Sequence, residues 1–292
     1  MTTVSVRDAA PVVTGFLAGD GAVVTFDVFD TLIWRRVLFP SDLFALLPHG
    51  RARAWRSAVE AWVTAACRRL LRREPRLEDI YRFYRFDPAA ELALEARLVR
   101  ANPWCLDLVR VLHARGVAMA AVSDMYLSAA QITGLLQAAG YPPLPVFVSS
   151  ETNASKHGEG RLFSHVGQRL GAEPARWMHV GDNHHADVEM ARRHGLATCH
   201  LLTPRDTLLA LLPALSSAAV RSRLGGEEAV VFLGDLAIEL HLRGAGELPE
   251  AFRAPLGARL EAVLARGAGA GAPSARAVVE AVLGPADGGA AP

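Results

Sequence analysis

An α/β protein with a doubly wound parallel sheet is the expectation for this chain of 292 residues. Short, uninterrupted apolar runs alternate with helical segments, the pattern of strands covered on both faces. Most of the apolar runs also end in acids or hydroxyls. The strand candidates are residues 22–26, 116–122, 146–148, 177–180 and 197–202. Helical spacing fills 104–115, 128–139, 162–170 and 186–194. Gly116, Gly140, Gly171 and Gly195 follow these segments, where a left-handed residue closes a helix.

From about Trp34 to Asn102 no comparable strand run occurs. Residues 51–73 space Trp55, Val59, Trp62, Val63, Ala66 and Leu70 at three- and four-residue steps, with arginines opposite. That spacing assigns the apolar set to a buried face. Residues 77–86 and 89–100 repeat the pattern, and Trp55, Trp62, Tyr81, Phe83 and Tyr84 are expected to form the core of the inserted segment. The domain expectation is an α/β core from 1–34 and 101–204, a helical cap over 35–100, and a helical C-terminal extension over 205–292. Helices are expected at 208–215 and 229–242, then a frayed Gly/Ala/Pro-rich tail including 268–273 and 284–292.

Composition excludes several classes. Hydrophobic residues make up 51% and charged residues 21%, so neither a disordered nor a collagen-like chain is described. A formal net charge of +1 gives no electrostatic footprint for nucleic acid. Cys67, Cys105 and Cys199 show neither metal-ligand spacing nor a disulfide ladder, which suits a reducing compartment. The first 21 residues carry Asp8 and Asp20 and lack the order of a secretory signal. The apolar stretch 208–220 contains Pro213 and falls short of the ~20 residues that span a bilayer. A soluble, cytoplasmic protein without membrane or nucleic-acid partners is expected.

In open parallel sheets, functional groups gather beyond the carboxyl ends of the strands. Asp27, Asp30 and Thr31 follow the first run, and Ser123 and Asp124 the second. Ser149-Ser150-Glu151 leads from the third towards Lys156. Asp182, Asn183, His184, His185 and Asp187 follow the fourth. Asp27, Asp30, Asp182 and Asp187 in one cleft would raise one another's pKa. A hard divalent cation bound through oxygen, most simply Mg²⁺, removes that difficulty. Lys156 adds positive charge, and the Ser123 hydroxyl beside backbone N–H groups would hold an anionic oxygen. Such a set describes phosphoryl transfer, in which positioning and charge compensation supply most of the catalysis. Lys156 is moreover the single lysine among 31 Lys and Arg residues, which points to a site needing a compact point charge. His184 and His185, adjacent on a turn, are assigned to a loop or helix start. Arg35 and Arg36 are left between a substrate's remote anion and a hinge or surface role. The pairs at 68–69 and 72–73 are assigned to a solvated helix face.

Asp27-Val-Phe-Asp30-Thr31, Ser123, Lys156 and Gly181-Asp182…Asp187 resemble, in order, the four motifs of the haloacid dehalogenase-like (HAD) superfamily, over roughly residues 23–202. Thr25-Phe-Asp-Val-Phe-Asp-Thr-Leu, Val122-Ser-Asp-Met-Tyr and Ser149-Ser-Glu are similar to bacterial predicted HAD hydrolases, some encoded near surface-polysaccharide genes. The resemblance implies a Rossmann-like core and a set of roles. Asp27 would be the nucleophile, forming an aspartyl-phosphate while its other oxygen binds Mg²⁺. Asp30 would be the acid and base, with its carbonyl on the metal. Asp182 would be the second metal carboxylate, and Asp187 would support a metal-bound water or orient Lys156. Ser123, the Asp124 N–H, Thr31 and Lys156 would hold phosphoryl oxygens. An aspartate at Asp30 further separates phosphatases and phosphomutases from dehalogenases.

The expected function is therefore a Mg²⁺-dependent phosphatase of a small phosphorylated metabolite, with a sugar phosphate preferred. The alternatives are a phosphomutase using the same site and a non-enzymatic domain. In either case the C-terminal helices are a candidate surface for a protein partner or self-association.

Overall fold

Uninterrupted apolar strands need cover on both faces, and the helices that alternate with them provide it. The computed structural model describes residues 3–4, 8–47, 53–218, 221, 227–244, 254–255 and 257–258. Two units divide the chain: Met1–Arg35 with Pro40–Thr203, and Arg36–Phe39 with Pro204–Pro292.

The first unit contains strands β1 (Thr3–Val4), β2 (Val23–Phe26), β3 (Ile33–Arg35), β4 (Val99–Ala101), β5 (Ala118–Ser123), β6 (Val146–Val148), β7 (Trp177–Gly181) and β8 (Ala197–Leu201). Six of them form one parallel sheet in the order β1-β8-β7-β2-β5-β6. β2 is central and wholly buried, and Phe26 lies level with Ala121 of β5 and Val180 of β7. From β2 the chain passes to β5 and β6 on one side, then returns to β7 and β8 on the other. The order reverses at β2, so a crevice opens beyond the carboxyl ends of β2, β5 and β7.

Helices Pro103–Ala114, Ala129–Ala138 and Arg161–Leu170 match the periodic segments, and the four glycines that follow the predicted helices all have positive φ. Their starts are written locally. The Asn102 side chain accepts from the N–H groups of Trp104 and Cys105, with Pro103 next, and Ser128 forms a capping box with Gln131. Val23, Val122, Leu162, Phe163, Val166, Trp177, Met190 and Leu196 form the core on one sheet face.

The insertion is helical over Arg53–Ala66, Leu77–Tyr84 and Pro88–Leu98, with a π-turn at Cys67–Leu71. Two expectations are corrected here. Its ends are extended and paired: β3 and β4 form an antiparallel ribbon, Ile33 opposite Ala101 and Arg35 opposite Val99. Three-residue strands are too short to display a period. The first helix is also turned, since Trp55 and Trp62 are 57% and 56% exposed and Arg56 joins the expected Val59 and Val63 on the inward side; Phe83 of the next helix is 47% exposed. Of the aromatic set, Tyr81 and Tyr84 are buried.

Arg56 explains the rotation. Its guanidinium donates to both Glu91 oxygens at 2.8 Å and to Glu60 at 2.8 Å. The Tyr81 and Tyr126 hydroxyls donate to the same Glu91 carboxylate at 2.6 and 2.7 Å. A matched charge with a long apolar stem therefore takes the place that periodicity gives to tryptophan. Tyr126 belongs to the loop after β5, so the network ties the insertion to the sheet, as does the Leu77 N–H to Tyr126 C=O bond.

The second unit packs helix Pro204–Leu211, the turn Pro213–Ser216 and helix Glu227–Arg243 around Leu38, Leu208, Leu212, Leu233, Leu236 and Leu240. Residues 36–39, assigned above to the insertion, belong to this unit. A Cβ on Gly234 would lie 2.1 Å from the Arg36 carbonyl carbon, so glycine permits backbone to approach backbone, and Arg36 grips Asp235 through two bonds of 2.7 and 2.6 Å. The tail segments 268–273 and 284–292 lie outside the described residues. All three cysteines are free and buried. Among the described residues no helix is long and apolar enough to cross a membrane.

Replacing Glu91 by alanine strands the Arg56 charge in the interior. A destabilisation of about 3–5 kcal/mol is expected, read from the urea midpoint, and the pair Arg56→Met with Glu91→Leu should recover most of it.

Candidate active site

Asp27 continues β2 by one residue, its N–H donating to Val180 C=O at 2.8 Å. The chain then folds back sharply. The Leu32 and Ile33 N–H groups both reach Val28 C=O, Asp30 N–H reaches Ile33 C=O, and Asp30 takes a left-handed φ of 62°. Aspartate tolerates that region better than most residues. Asn102 and Tyr141 clamp the loop from outside: the Asn102 amide donates to Thr31 C=O at 2.8 Å, and Tyr141 OH donates to Leu32 C=O at 2.5 Å.

The Lys156 ammonium lies between two carboxylates, 2.5 Å from Asp27 Oδ1 and 2.6 Å from Asp187 Oδ1, with only 3% of its side chain exposed. Asp124 holds its loop, accepting from the Lys156 N–H at 2.8 Å, the His157 N–H at 3.0 Å and the His157 ring at 2.8 Å. Asp187 sits in the π-turn His184–Glu189, which the Asn183 side chain caps by accepting from Ala186 N–H; Asn183 N–H in return donates to Asp187 Oδ2 at 2.9 Å. Gly181 is required beneath it, because a Cβ there would stand 2.4 Å from Asp187 Cγ.

Behind Asp187 runs a buried chain of hydrogen bonds. Trp177 Nε1 can only donate, and it donates to Thr25 Oγ1 at 2.8 Å. The Thr25 hydroxyl hydrogen is then directed to His179 Nδ1 at 2.8 Å. That assignment leaves the His179 proton on Nε2, where it donates to Asp187 Oδ1 at 3.2 Å. Burial lowers the His179 pKa and favours this neutral ring.

The electrostatics are uneven. Burial raises Asp27 to about 7 despite the downward pull of Lys156. Burial, then Asp30 and Asp27, push Asp182 well above the usual carboxylate range. Asp187 goes the other way: burial opposes ionisation, but Lys156 and His179 more than offset it. Lys156 is raised in spite of burial because Asp187 and Asp27 flank it. Carboxylate oxygens of Asp27, Asp182 and Asp187 lie within 4.8 Å of one another. This all-oxygen donor set, with more acids than the single ammonium balances, fits a hard divalent cation.

The remaining predicted residues divide. Thr31 is fully buried, and its hydroxyl donates to Asp182 Oδ1 at 3.2 Å, so it braces a carboxylate. Ser123 is buried at the end of β5, and its hydroxyl has no protein hydrogen-bond partner among the described residues. His184 and His185 are exposed and face Glu189 at 3.4 and 2.9 Å. Arg35 is buried, donates to both Glu95 oxygens and stacks on the Phe29 ring at 3.8 Å. With Arg36 on Asp235, both guanidiniums are paired with acids of this chain. His179 and Thr25 escaped the sequence reading; their signal is two polar residues in apolar runs at one register on neighbouring strands.

Residues 22–195 match the model of the haloacid dehalogenase-like hydrolases. The chain belongs to this family. The HAD phosphatase from Thermococcus onnurineus is 18% identical, with a TM-score of 0.43 over 61% of this chain and 84% of that one. The L-2-haloacid dehalogenase from Xanthobacter autotrophicus is 18% identical, with a TM-score of 0.48 over 77% and 100%. A HAD family hydrolase from Deinococcus radiodurans R1, holding phosphate and sodium, is 20% identical, with a TM-score of 0.40 over 73% and 97%. No curated protein matches the chain.

In this HAD hydrolase Gly181→Ala should drive Asp187 off Lys156. A fall in kcat of roughly a hundredfold is expected from such a displacement, with the fold retained by circular dichroism.

Proposed function

We propose that this HAD hydrolase is a Mg²⁺-dependent phosphatase of a small phosphorylated metabolite, working through an aspartyl-phosphate. The observation that carries the reading is the carboxylate set around Lys156, with Asp30 beside Asp182 and the Ser123 hydroxyl at the next strand end. An aspartate at Asp30 is what separates phosphatases from dehalogenases in the family resemblance. A sugar phosphate is the substrate class carried forward.

Bound Mg²⁺ would neutralise the acids and the phosphoryl oxygens; Asp27, Asp182 and the Asp30 carbonyl would hold it, with Asp187 supporting from behind. The Asp27 carboxylate attacks phosphorus, so an Asp27 O–P bond forms as the ester P–O bond breaks. Asp30 gives its proton to the departing oxygen. It then takes a proton from the water that attacks the phosphoryl group, returning Asp27 and releasing inorganic phosphate. Lys156 and Ser123 hold the phosphoryl oxygens, with the Asp124 N–H beside them. The geometry favours Asp187 as the residue that orients Lys156, with His179 orienting Asp187.

Asp27→Asn is expected to abolish phosphate release while leaving the unfolding transition in place; substantial residual turnover would remove Asp27 from the nucleophile role. EDTA should silence the enzyme and excess Mg²⁺ revive it, and indifference to chelation would contradict the metal. Lys156→Arg keeps the charge but brings a planar fork into a space shaped for an ammonium, so a loss of more than about tenfold in kcat/KM is expected. Because burial holds Asp27 near 7 without a cation, protons and Mg²⁺ compete for it. Mg²⁺ affinity, followed by calorimetry, should weaken as pH falls below about 7.

A further inference from the structure

Beside the lysine loop lies a groove of about 290 Å³ whose charge has no part in the chemistry above. Arg68, Arg72, Arg73 and Glu74 of the insertion form one wall; Asn153, Ser155, His157 and Arg161 of the sheet domain line the other side. With Glu159 the lining holds four guanidiniums against two carboxylates. Arg68 is committed to Glu74, Arg161 to Glu159, and Arg73 to Asp79. Arg72 makes no ion pair or side-chain hydrogen bond among the described residues.

Arg72 is also held in place. It takes a left-handed φ of 53°, and so does Asn153 across the groove. Asn153 fixes the junction, accepting from the Glu74 N–H at 3.0 Å and donating to Arg72 C=O at 3.2 Å. A left-handed arginine pinned from the opposite wall is an uncommon local arrangement. Its guanidinium is exposed and carries no internal acid, so it is open to an anion from outside.

We propose that this groove binds a second anionic group, a carboxylate or a phosphate, at the far end of the substrate. The inference deepens the phosphatase reading and rests on it for what the near end is. His157 follows Lys156 directly, and Asp124 binds the backbone of both. One residue step, the lysine side chain and its contact to Asp27 keep His157 within roughly 13 Å of that carboxylate, inside the reach of a short carbon chain with an anion at each end. Guanidinium rather than ammonium suits a planar carboxylate or a phosphate face. A pocket this size takes one end of a metabolite.

The test compares matched esters on the full-length protein: phosphoglycerate against glycerol phosphate, and phosphogluconate against sorbitol phosphate. Each pair differs in a terminal carboxylate against a hydroxymethyl group. The expected result is a preference for the carboxylate member of about tenfold in kcat/KM, carried by KM and shrinking with added salt. Arg72→Glu should erase or invert the ratio, and Arg72→Ala or Arg161→Ala should reduce it, with folding checked by thermal melting. No preference in either pair, or a ratio that Arg72→Glu leaves unchanged, overturns the proposal. Binding of the same four compounds, measured by calorimetry in EDTA, separates the two readings. If no ester is hydrolysed, the phosphatase reading fails alone, and the groove is still decided by whether the carboxylate members bind more tightly and lose that advantage in Arg72→Glu.

Discussion

A buried ammonium between two carboxylates is the constraint to which the rest of the first unit answers. Lys156 lies within 2.6 Å of both Asp27 and Asp187 with almost no exposure. Such an ion is tolerable only when its partners are held in place. The surrounding elements do that holding. Asp124 fixes the lysine backbone, Gly181 lets Asp187 come close, and Asn183 and His179 restrain its two oxygens. The parallel sheet matters to function chiefly because it ends β2, β5 and β7 at one level, where these groups can meet.

The sheet and the charged groups at its strand ends could be read from the residues in advance. Strands β2, β5, β6, β7 and β8 and the helices between them follow from apolar runs and glycine stops, and the acids stand out because they close buried runs. Lys156 stands out for a different reason: a chain that otherwise uses arginine has put an ammonium there. The HAD resemblance supplied the order of the motifs, and the family match over residues 22–195 bears out the membership.

What escaped has physical causes. β3 and β4 are three residues each, and pairing between the two ends of a long insertion is invisible to any local pattern. The inward turn of Arg56 reverses what hydrophobic spacing implies, because its stabilisation comes from Glu91, Glu60, Tyr81 and Tyr126, at separations of four to 70 residues along the chain. The Trp177–Thr25–His179–Asp187 chain crosses from one strand to its neighbour, and a single strand's sequence cannot announce it. Arg72 reads as one more solvated arginine until Asn153 is seen facing it.

The solitary lysine has a further consequence for the protein as a chemical object. Apart from the terminal α-amine, every primary amine of the chain is the one sealed beneath Asp27 and Asp187. Acylating reagents that seek amines, and proteases that cut after lysine, therefore find no side-chain target while this pocket stays shut. Their reaction at position 156 is a clock for the opening of the site itself, readable on the unaltered polypeptide without any introduced label.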